Sequence, residues 1–170
     1  MAQVIPGRFT AQHDESFVVF MIGMRVNTFF AFRKWLMVAR AMAPMLRTLY
    51  AHPEKGFLGA HTSVSWRGVT SIQYWRSFED LEKFARDKSD PHLESWRQFN
   101  KQIGTDGSVG IWHESYLIEA GKYECVYGNM PVFGLAAATK HVPAVGHRES
   151  ARRRLGGEGE LVVPTPAQPA

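Results

Sequence analysis

Two of the seven histidines, His92 and His113, occupy positions from which a side chain could move a proton. His92 follows Asp90-Pro91, a pair typical of a helix start, with the acidic residue as the cap and proline at the first helical position. The positive end of a helix favours a neutral imidazole, which can act as a base or bind a metal. The alternative is a histidine that is simply exposed at a helix start.

His113 precedes Glu114 in a predicted strand, so the two side chains point to opposite faces of a sheet. Glu114 shares its face with two aromatic residues, Trp112 and Tyr116, which is typical of a pocket wall with a charged centre. A buried carboxylate needs a partner, and Arg25, at the end of the first predicted strand, is a candidate. A site at Glu114 and a purely structural Arg25–Glu114 ion pair both remain open.

Several familiar catalytic patterns are missing from the sequence. It has no Gly-rich phosphate loop, no CxxC or HExxH spacing and no GxSxG turn. The single cysteine, Cys125, excludes an internal disulfide, and no base is predicted beside its thiol. We therefore expect Cys125 to be structural and no metal to be bound.

Composition limits the class of protein. The chain is 45% hydrophobic and contains 11 Phe, 7 Met and 5 Trp residues, which indicates a large apolar interior with room for a cavity. Its net charge of +4 comes partly from Arg33, Lys34, Arg40 and Arg47, which we interpret as a solvated helix face. With no nucleic-acid module, no apolar run long enough to span a membrane and no signal pattern, we expect a soluble cytoplasmic protein that binds neither nucleic acid nor membrane.

The predicted elements follow the order β-α-β-β-α-β. They are strands at 16–26, 57–66, 69–76 and 109–119, a helix at 29–50, and a helical pair at 78–85 and 91–103. Asn27 or Thr28 is expected to cap the first helix, although Asn27 could instead line a cavity, and Pro44 is expected to kink or split that helix. We expect residues 1–15 to form an N-terminal arm or the edge of a strand, 16–142 the domain, and 143–170 a flexible basic tail rich in Pro and Gly.

The first predicted strand has apolar side chains on both faces. Helices of one subunit can cover only one face of an antiparallel sheet, so the other needs a second sheet. A dimer partner could supply it, which predicts a homodimer built face to face.

Two stretches carry a resemblance to known proteins. In the first, a strand ending in Tyr74-Trp75-Arg76-Ser77 leads into an acidic amphipathic helix and then His92, which resembles the dimeric α+β barrel proteins, including antibiotic-biosynthesis-type monooxygenases. The second comprises residues 112–116 and 123–135, with Asn129-Met130-Pro131, and resembles a monooxygenase-like family named after a fungal fumagillin-pathway oxygenase. The resemblance covers roughly residues 17–142 and implies an α+β, ferredoxin-like sandwich with an antiparallel sheet.

The resemblance also implies a function. It points to a monooxygenase that uses O₂, without a cofactor, to oxidise a small aromatic or polyketide- or terpenoid-like molecule in an apolar cavity. The base would be His92 or His113, and Arg25 would stabilise an anion. The cavity would be lined by Trp66, Trp75, Trp112 and Tyr116, although Trp75 is equally well explained as a core residue.

Two other functions remain open. Haem-degrading and aldoxime-dehydratase-like proteins of this fold bind haem through a histidine, which here would be His92 or His113. The gap from Trp75 to His92 is longer than in those relatives, which disfavours this reading. The third possibility is a dimeric barrel that binds a ligand without catalysis.

Overall fold

The computed structural model describes residues 2–88 and 91–157. The chain divides into two compact units, a larger unit of Ser16–Ile118 and a smaller unit formed by the segments on either side of it. The strands are β1 (Ile5–Gln12), β2 (Phe17–Val26), β3 (Phe57–Ser65), β4 (Gly68–Trp75), β5 (Val109–Ile118), β6 (Tyr127–Met130) and β7 (Lys140–Pro143). The α-helices are α1 (Phe32–Ala51), α2 (Phe78–Arg86), α3 (Pro91–Gln102), α4 (Gly134–Ala138) and α5 (Ala151–Arg154).

The larger unit has a ferredoxin-like fold. Its sheet has the order β3-β4-β2-β5, and each neighbouring pair is antiparallel. Along the chain, α1 connects β2 to β3, and α2 followed by α3 connects β4 to β5. This β-α-β-β-α-β order with the first strand inside the sheet confirms the predicted fold class.

The core of the larger unit lies between the sheet and the helices. Trp75 at the end of β4 is 0% exposed, and its ring lies 5.4 Å from that of Phe57 and 5.7 Å from that of Phe84. Leu49 of α1 and Leu81 of α2 belong to the same cluster. The helix that carries Leu81 and Phe84 begins where predicted, because the Ser77 hydroxyl accepts a hydrogen bond from the Asp80 N–H at 3.1 Å.

A second apolar cluster sets the relative direction of α1 and α3. Ile103, just beyond α3, is buried with Met24, and Phe99 packs against this cluster together with Trp35 and Val38 of α1. The end of α3 therefore lies beside the first half of α1, and the two helices run in opposite directions.

Two predictions about the limits of α1 are wrong: the helix is not split at Pro44, and it is not capped by Asn27 or Thr28. The helix continues through Pro44, where one backbone hydrogen bond is lost while the flanking turns stay packed on the sheet, and the expected kink there stays a prediction. It begins at Phe32 after Ala31, without a side-chain cap. Asn27 is not the cap, because its side-chain amide donates to the Gly107 carbonyl at 3.0 Å and so ties the end of β2 to the loop before β5.

The smaller unit differs from the predicted arm and tail. Strand β1 is the middle strand of an antiparallel sheet with the order β6-β1-β7, so residues 1–15 are not an arm. Residues 146–157 contain a 3₁₀ turn and α5, and Arg148 donates to the Gln12 side chain at 2.7 Å. The predicted flexible tail is therefore wrong up to residue 157, and its remainder lies outside the described residues.

Candidate functional site

An apolar groove in the larger unit is the best candidate site. It encloses about 740 Å³ between α1, α3 and the helix-covered face of the sheet. Its lining is mostly aliphatic, aromatic and thioether side chains, among them Met24, Leu36, Met37, Met42, Phe99 and Ile111. A groove of this kind suits a small apolar ligand, although none of the aromatic residues predicted to line a cavity, Trp66, Trp75, Trp112 and Tyr116, is part of its lining.

His92, in the first turn of α3, lines this groove. Its Nδ1 lies 2.9 Å from the carbonyl oxygen of Ala85 in α2. Because a carbonyl can only accept a hydrogen bond, Nδ1 must carry the proton. In the neutral ring Nε2 then keeps its lone pair, so the contact between α2 and α3 fixes the tautomer and leaves a nitrogen that can act as a base.

Two cations also line the groove. Arg33 and Arg40 lie seven positions apart on α1, which puts them on one side of the helix. Sequence reasoning missed them, because it assigned the basic residues of this helix to a solvated face. Leu36, which also lines the groove, lies three residues after Arg33 and four before Arg40, and this spacing was the available signal.

The other predicted histidine lies elsewhere. His113 is exposed on β5, an edge strand, with its ring 5.6 Å from that of Phe20. Among the described residues it is not part of the groove lining. The structure therefore places only one of the two predicted bases at a cavity.

The predicted Arg25–Glu114 pair does not form. In the sheet Arg25 lies opposite Gly110, whereas Glu114 lies opposite Met21, four residues away along β2 and so about 13 Å distant. Glu114 instead accepts a hydrogen bond from the Tyr116 hydroxyl at 2.5 Å. This bond and the carboxylate charge raise the pKa of Tyr116.

Trp112 lies on the same sheet face as Glu114 and Tyr116, away from the helices. Its indole covers Gly23 of β2, and a Cβ atom on that glycine would come within 2.7 Å of the ring. The Trp-x-Glu-x-Tyr face is thus real, but it is separated from the groove by the sheet itself.

The other two tryptophans that were predicted to line a cavity, Trp66 and Trp75, do not line the groove, whereas Trp96 of α3, which was not predicted, does. Trp75 is buried in the core, where its Nε1 donates to the Gln73 side chain at 3.0 Å, so the core interpretation is the correct one. Trp66 is 85% exposed in the turn between β3 and β4, with its ring 5.9 Å from that of Phe29. Neither residue can shape a ligand in the groove.

The smaller unit contains a separate polar cavity of about 400 Å³. Its polar groups are largely engaged with one another: the Tyr123 hydroxyl accepts from the His13 N–H at 2.6 Å, and Arg154 is paired with Glu124. Burial is the main cause that raises the pKa of Tyr123. The Cys125 sulfur accepts from the Ala11 N–H at 3.4 Å, in line with a structural role.

Two kinds of feature are absent from the part of the chain that the structure describes. No group of three or more His, Cys, Asp or Glu side chains is arranged to hold a metal ion. No helix there has both the length and the apolar character needed to cross a lipid bilayer.

Comparison with solved structures gives distant matches. A dimeric protein of unknown function and ferredoxin-like fold from Bacteroides fragilis matches with a TM-score of 0.44 and 8% identity, over 60% of this chain and 96% of the other. A candidate antibiotic biosynthesis monooxygenase from Chloroflexus aurantiacus matches with a TM-score of 0.38 and 10% identity, over 59% of this chain and 91% of the other. At these values the likeness carries no conclusion about activity or assembly.

Sequence comparison is more specific. Residues 17–135 match the family described as monooxygenase af470-like. Monooxygenase af470 from Aspergillus fumigatus is 32% identical over 152 residues, which cover 76% of this chain and 53% of that protein, so the chain spans about half the length of its curated relative. The matched residues include the sheet, both groove-forming helices and His92, and the chain belongs to the monooxygenase af470-like family.

Proposed function

We propose that the chain is a monooxygenase-like oxidoreductase that oxidises a small aromatic or polyketide- or terpenoid-like molecule in the groove, without a cofactor. Membership of the monooxygenase af470-like family supports the reaction type. The observation that carries the assignment of the site is His92, which lines the apolar groove with Nδ1 engaged and Nε2 able to accept a proton.

The proposed reaction begins with proton abstraction. His92 Nε2 takes a proton from a CH₂ group that a neighbouring carbonyl or aromatic ring has made acidic, which leaves a carbanion. The carbanion reduces O₂ and bonds to it, and reprotonation gives a hydroperoxide on the same carbon. Loss of the second C–H proton with cleavage of the O–O bond leaves a carbonyl and releases water. The balance is CH₂ + O₂ → C=O + H₂O, and the substrate supplies all the electrons.

The groove suits the charged intermediate of this reaction. Apolar walls keep water from protonating the carbanion, and they increase the effect of nearby charge. In an apolar site positive charge also favours an anion from a distance, and the groove offers Arg33 and Arg40 as the source of that positive potential in place of Arg25, which is not part of the lining.

The test is O₂ consumption with activated methylene compounds, beginning with dihydroxyanthrone. With ¹⁸O₂, we expect one heavy oxygen in the product carbonyl and the other in water. His92→Gln should lower turnover roughly 10²- to 10⁴-fold, the usual scale for a general base. His113→Gln, an exposed histidine outside the groove lining, is the matched control and should retain turnover. Equal activity of the wild type and His92→Gln would refute the assignment of the base.

Haem binding is the second candidate, because His92 would hold the haem iron through Nε2 while Nδ1 stays bonded to the Ala85 carbonyl. Haem would supply redox chemistry at its iron, and of the predicted ligands only His92 is placed at the groove. Protein expressed with added haem would then show a Soret band that His92→Ala removes. Ligand-induced melting shifts with neither turnover nor a Soret band would favour a non-catalytic binding protein.

We also propose that the chain forms a homodimer through the sheet face that carries Trp112 and Tyr116. Both side chains are exposed, and Val19, Met21 and Ile72 on the same face are only partly buried. Pairing two copies of this face would remove the apolar patch from water.

A further inference from the structure

The charges that line the groove have one sign. Arg33 and Arg40 are both exposed at its edge, and neither has a carboxylate partner in the described part of the chain. No Asp or Glu is found among the described residues of the lining. An apolar groove with only cations at its edge selects for a ligand with a negative charge.

The two arginines lie at different distances from His92. The end of α3, at Phe99 and Ile103, packs beside Trp35 and Val38 in the first half of α1. His92 precedes Phe99 by seven residues, which is about 10 Å along a helix axis. Arg33 therefore lies toward the end of the groove away from His92, and Arg40 lies between them.

We infer that the ligand of this groove is an elongated apolar molecule with an ionised acidic group, a carboxylate above all, which Arg33 and Arg40 bind. A guanidinium suits this role because its planar set of donors matches the two oxygens of a carboxylate. Since both arginines are at the edge, the acidic group stays near water while the apolar body enters the groove. The reacting carbon then lies roughly 10 Å or less from the acidic group, beside His92.

This inference deepens the proposed function, since it names the substrate class of the same site, but its test measures binding alone. The probes are dodecanoate and 2-naphthoate, each compared with its neutral alcohol, dodecanol and 2-naphthalenemethanol, by calorimetric titration below the micellar concentration. We expect the wild type to bind each acid at least about tenfold more tightly than the alcohol, the scale of one charge-assisted hydrogen bond.

The decisive variant is Arg33→Gln/Arg40→Gln, which should bind acid and alcohol with equal affinity. Arg47→Gln removes the same charge from an exposed position of α1 outside the groove lining, and it should keep the preference. Circular dichroism establishes that each variant is folded.

Two outcomes would overturn the inference: no preference for acids in the wild type, or a preference that persists in the double variant. A result that refutes the proposed reaction can be distinguished from a result that refutes this inference. His92→Gln should still prefer acids, so a protein without oxygenase activity that nevertheless selects acids would retain this inference and lose the reaction.

Discussion

At the scale of single residues, neighbouring side chains decide what a functional group can do. His92 has one backbone acceptor at Nδ1, and this bond determines which nitrogen is available in the groove. Glu114 and Tyr116 differ from His92 in their location, because the hydrogen bond between them lies on an exposed face of the sheet and not at the groove. The arrangement at His92 is tested by turnover, and that at Tyr116 by the titration of its phenol.

The Glu114–Tyr116 pair predicts a shifted phenol titration. Glu114 raises the pKa of Tyr116 by accepting its hydrogen bond and by repelling the phenolate. Glu114→Gln should therefore let Tyr116 ionise at a lower pH, nearer the ordinary value of 10.0. The measurement is a phenolate absorbance titration, with Tyr116→Phe to identify the signal and Glu119→Gln as a carboxylate control. An unchanged titration in Glu114→Gln would contradict the pairing.

The close approach of Gly23 to the Trp112 indole predicts that the effect of Gly23→Ala on stability changes sign when Trp112 is replaced. In the wild type Gly23→Ala should destabilise the protein by about 1–3 kcal/mol, because the new methyl group meets the Trp112 indole. In a Trp112→Ala background the same change should stabilise by roughly 0.5 kcal/mol, since alanine restricts the unfolded chain more than glycine does. Urea unfolding of the four proteins tests this, and additive effects would show that the two residues are not in contact.

At the scale of elements, an ion pair ties α1 to the loop before β5. Lys34 contacts Asp106, and the other oxygen of Asp106 accepts hydrogen bonds from the Ser108 N–H at 2.8 Å and from its hydroxyl at 2.6 Å. The bond from Lys34 is the largest cause that lowers the pKa of Asp106 from 3.8 to about 2, and the bonds from Ser108 follow.

The lowered pKa of Asp106 predicts a pH range over which the stability of the fold changes. Because the folded-state pKa lies below the unfolded one, the stabilisation is complete above pH 3.8 and is lost as the pH falls toward 2. Asp106→Asn should thus have a lower urea midpoint than the wild type at neutral pH, and the gap should close across that window. A gap independent of pH would show that the carboxylate charge is not responsible.

The sequence predicted the elements whose signals are local. The capping serine Ser77 and the continuous apolar run of β2 are visible within a few positions, and both predictions are confirmed. The place of β1 in the middle of a second sheet was not predicted, because its partners, β6 and β7, come more than a hundred residues later and local periodicity does not indicate them. For the same reason Asn27 was assigned to a nearby helix, whereas its amide bonds to distant Gly107.

The candidate site was only partly predictable. The Asp90-Pro91 signal placed His92 at a helix start, and the structure puts it at the groove. The prediction of an Arg25–Glu114 pair was wrong because it required a particular register between β2 and β5. Register is set by pairing across the sheet, and a single sequence does not show which residues lie opposite each other. The prediction that Trp75 lines a cavity was wrong because the rings of Phe57 and Phe84 pack against it and bury it in the core.

At the scale of the whole molecule, the proposed dimer can be tested by size. Light scattering at micromolar concentration should give about twice the 19.2 kDa of the chain. Met21→Arg places a charge in the proposed interface and should yield monomers that remain folded, whereas Arg47→Glu on α1 should leave the mass unchanged. A wild-type mass of one chain would refute the proposal.

The division into two units has a consequence for synthesis on the ribosome. The larger unit begins and ends in paired strands, since Phe17 lies opposite Ile118, so its two ends emerge side by side from the finished sheet. Strand β1 is translated before that unit, but its partners are translated after it. The sheet of the larger unit can form while β1 is still unpaired. Once Phe17 and Ile118 lie opposite each other in that sheet, the segments that precede and follow the larger unit start from neighbouring points. The second sheet therefore cannot be completed before every strand of the larger unit has been synthesised.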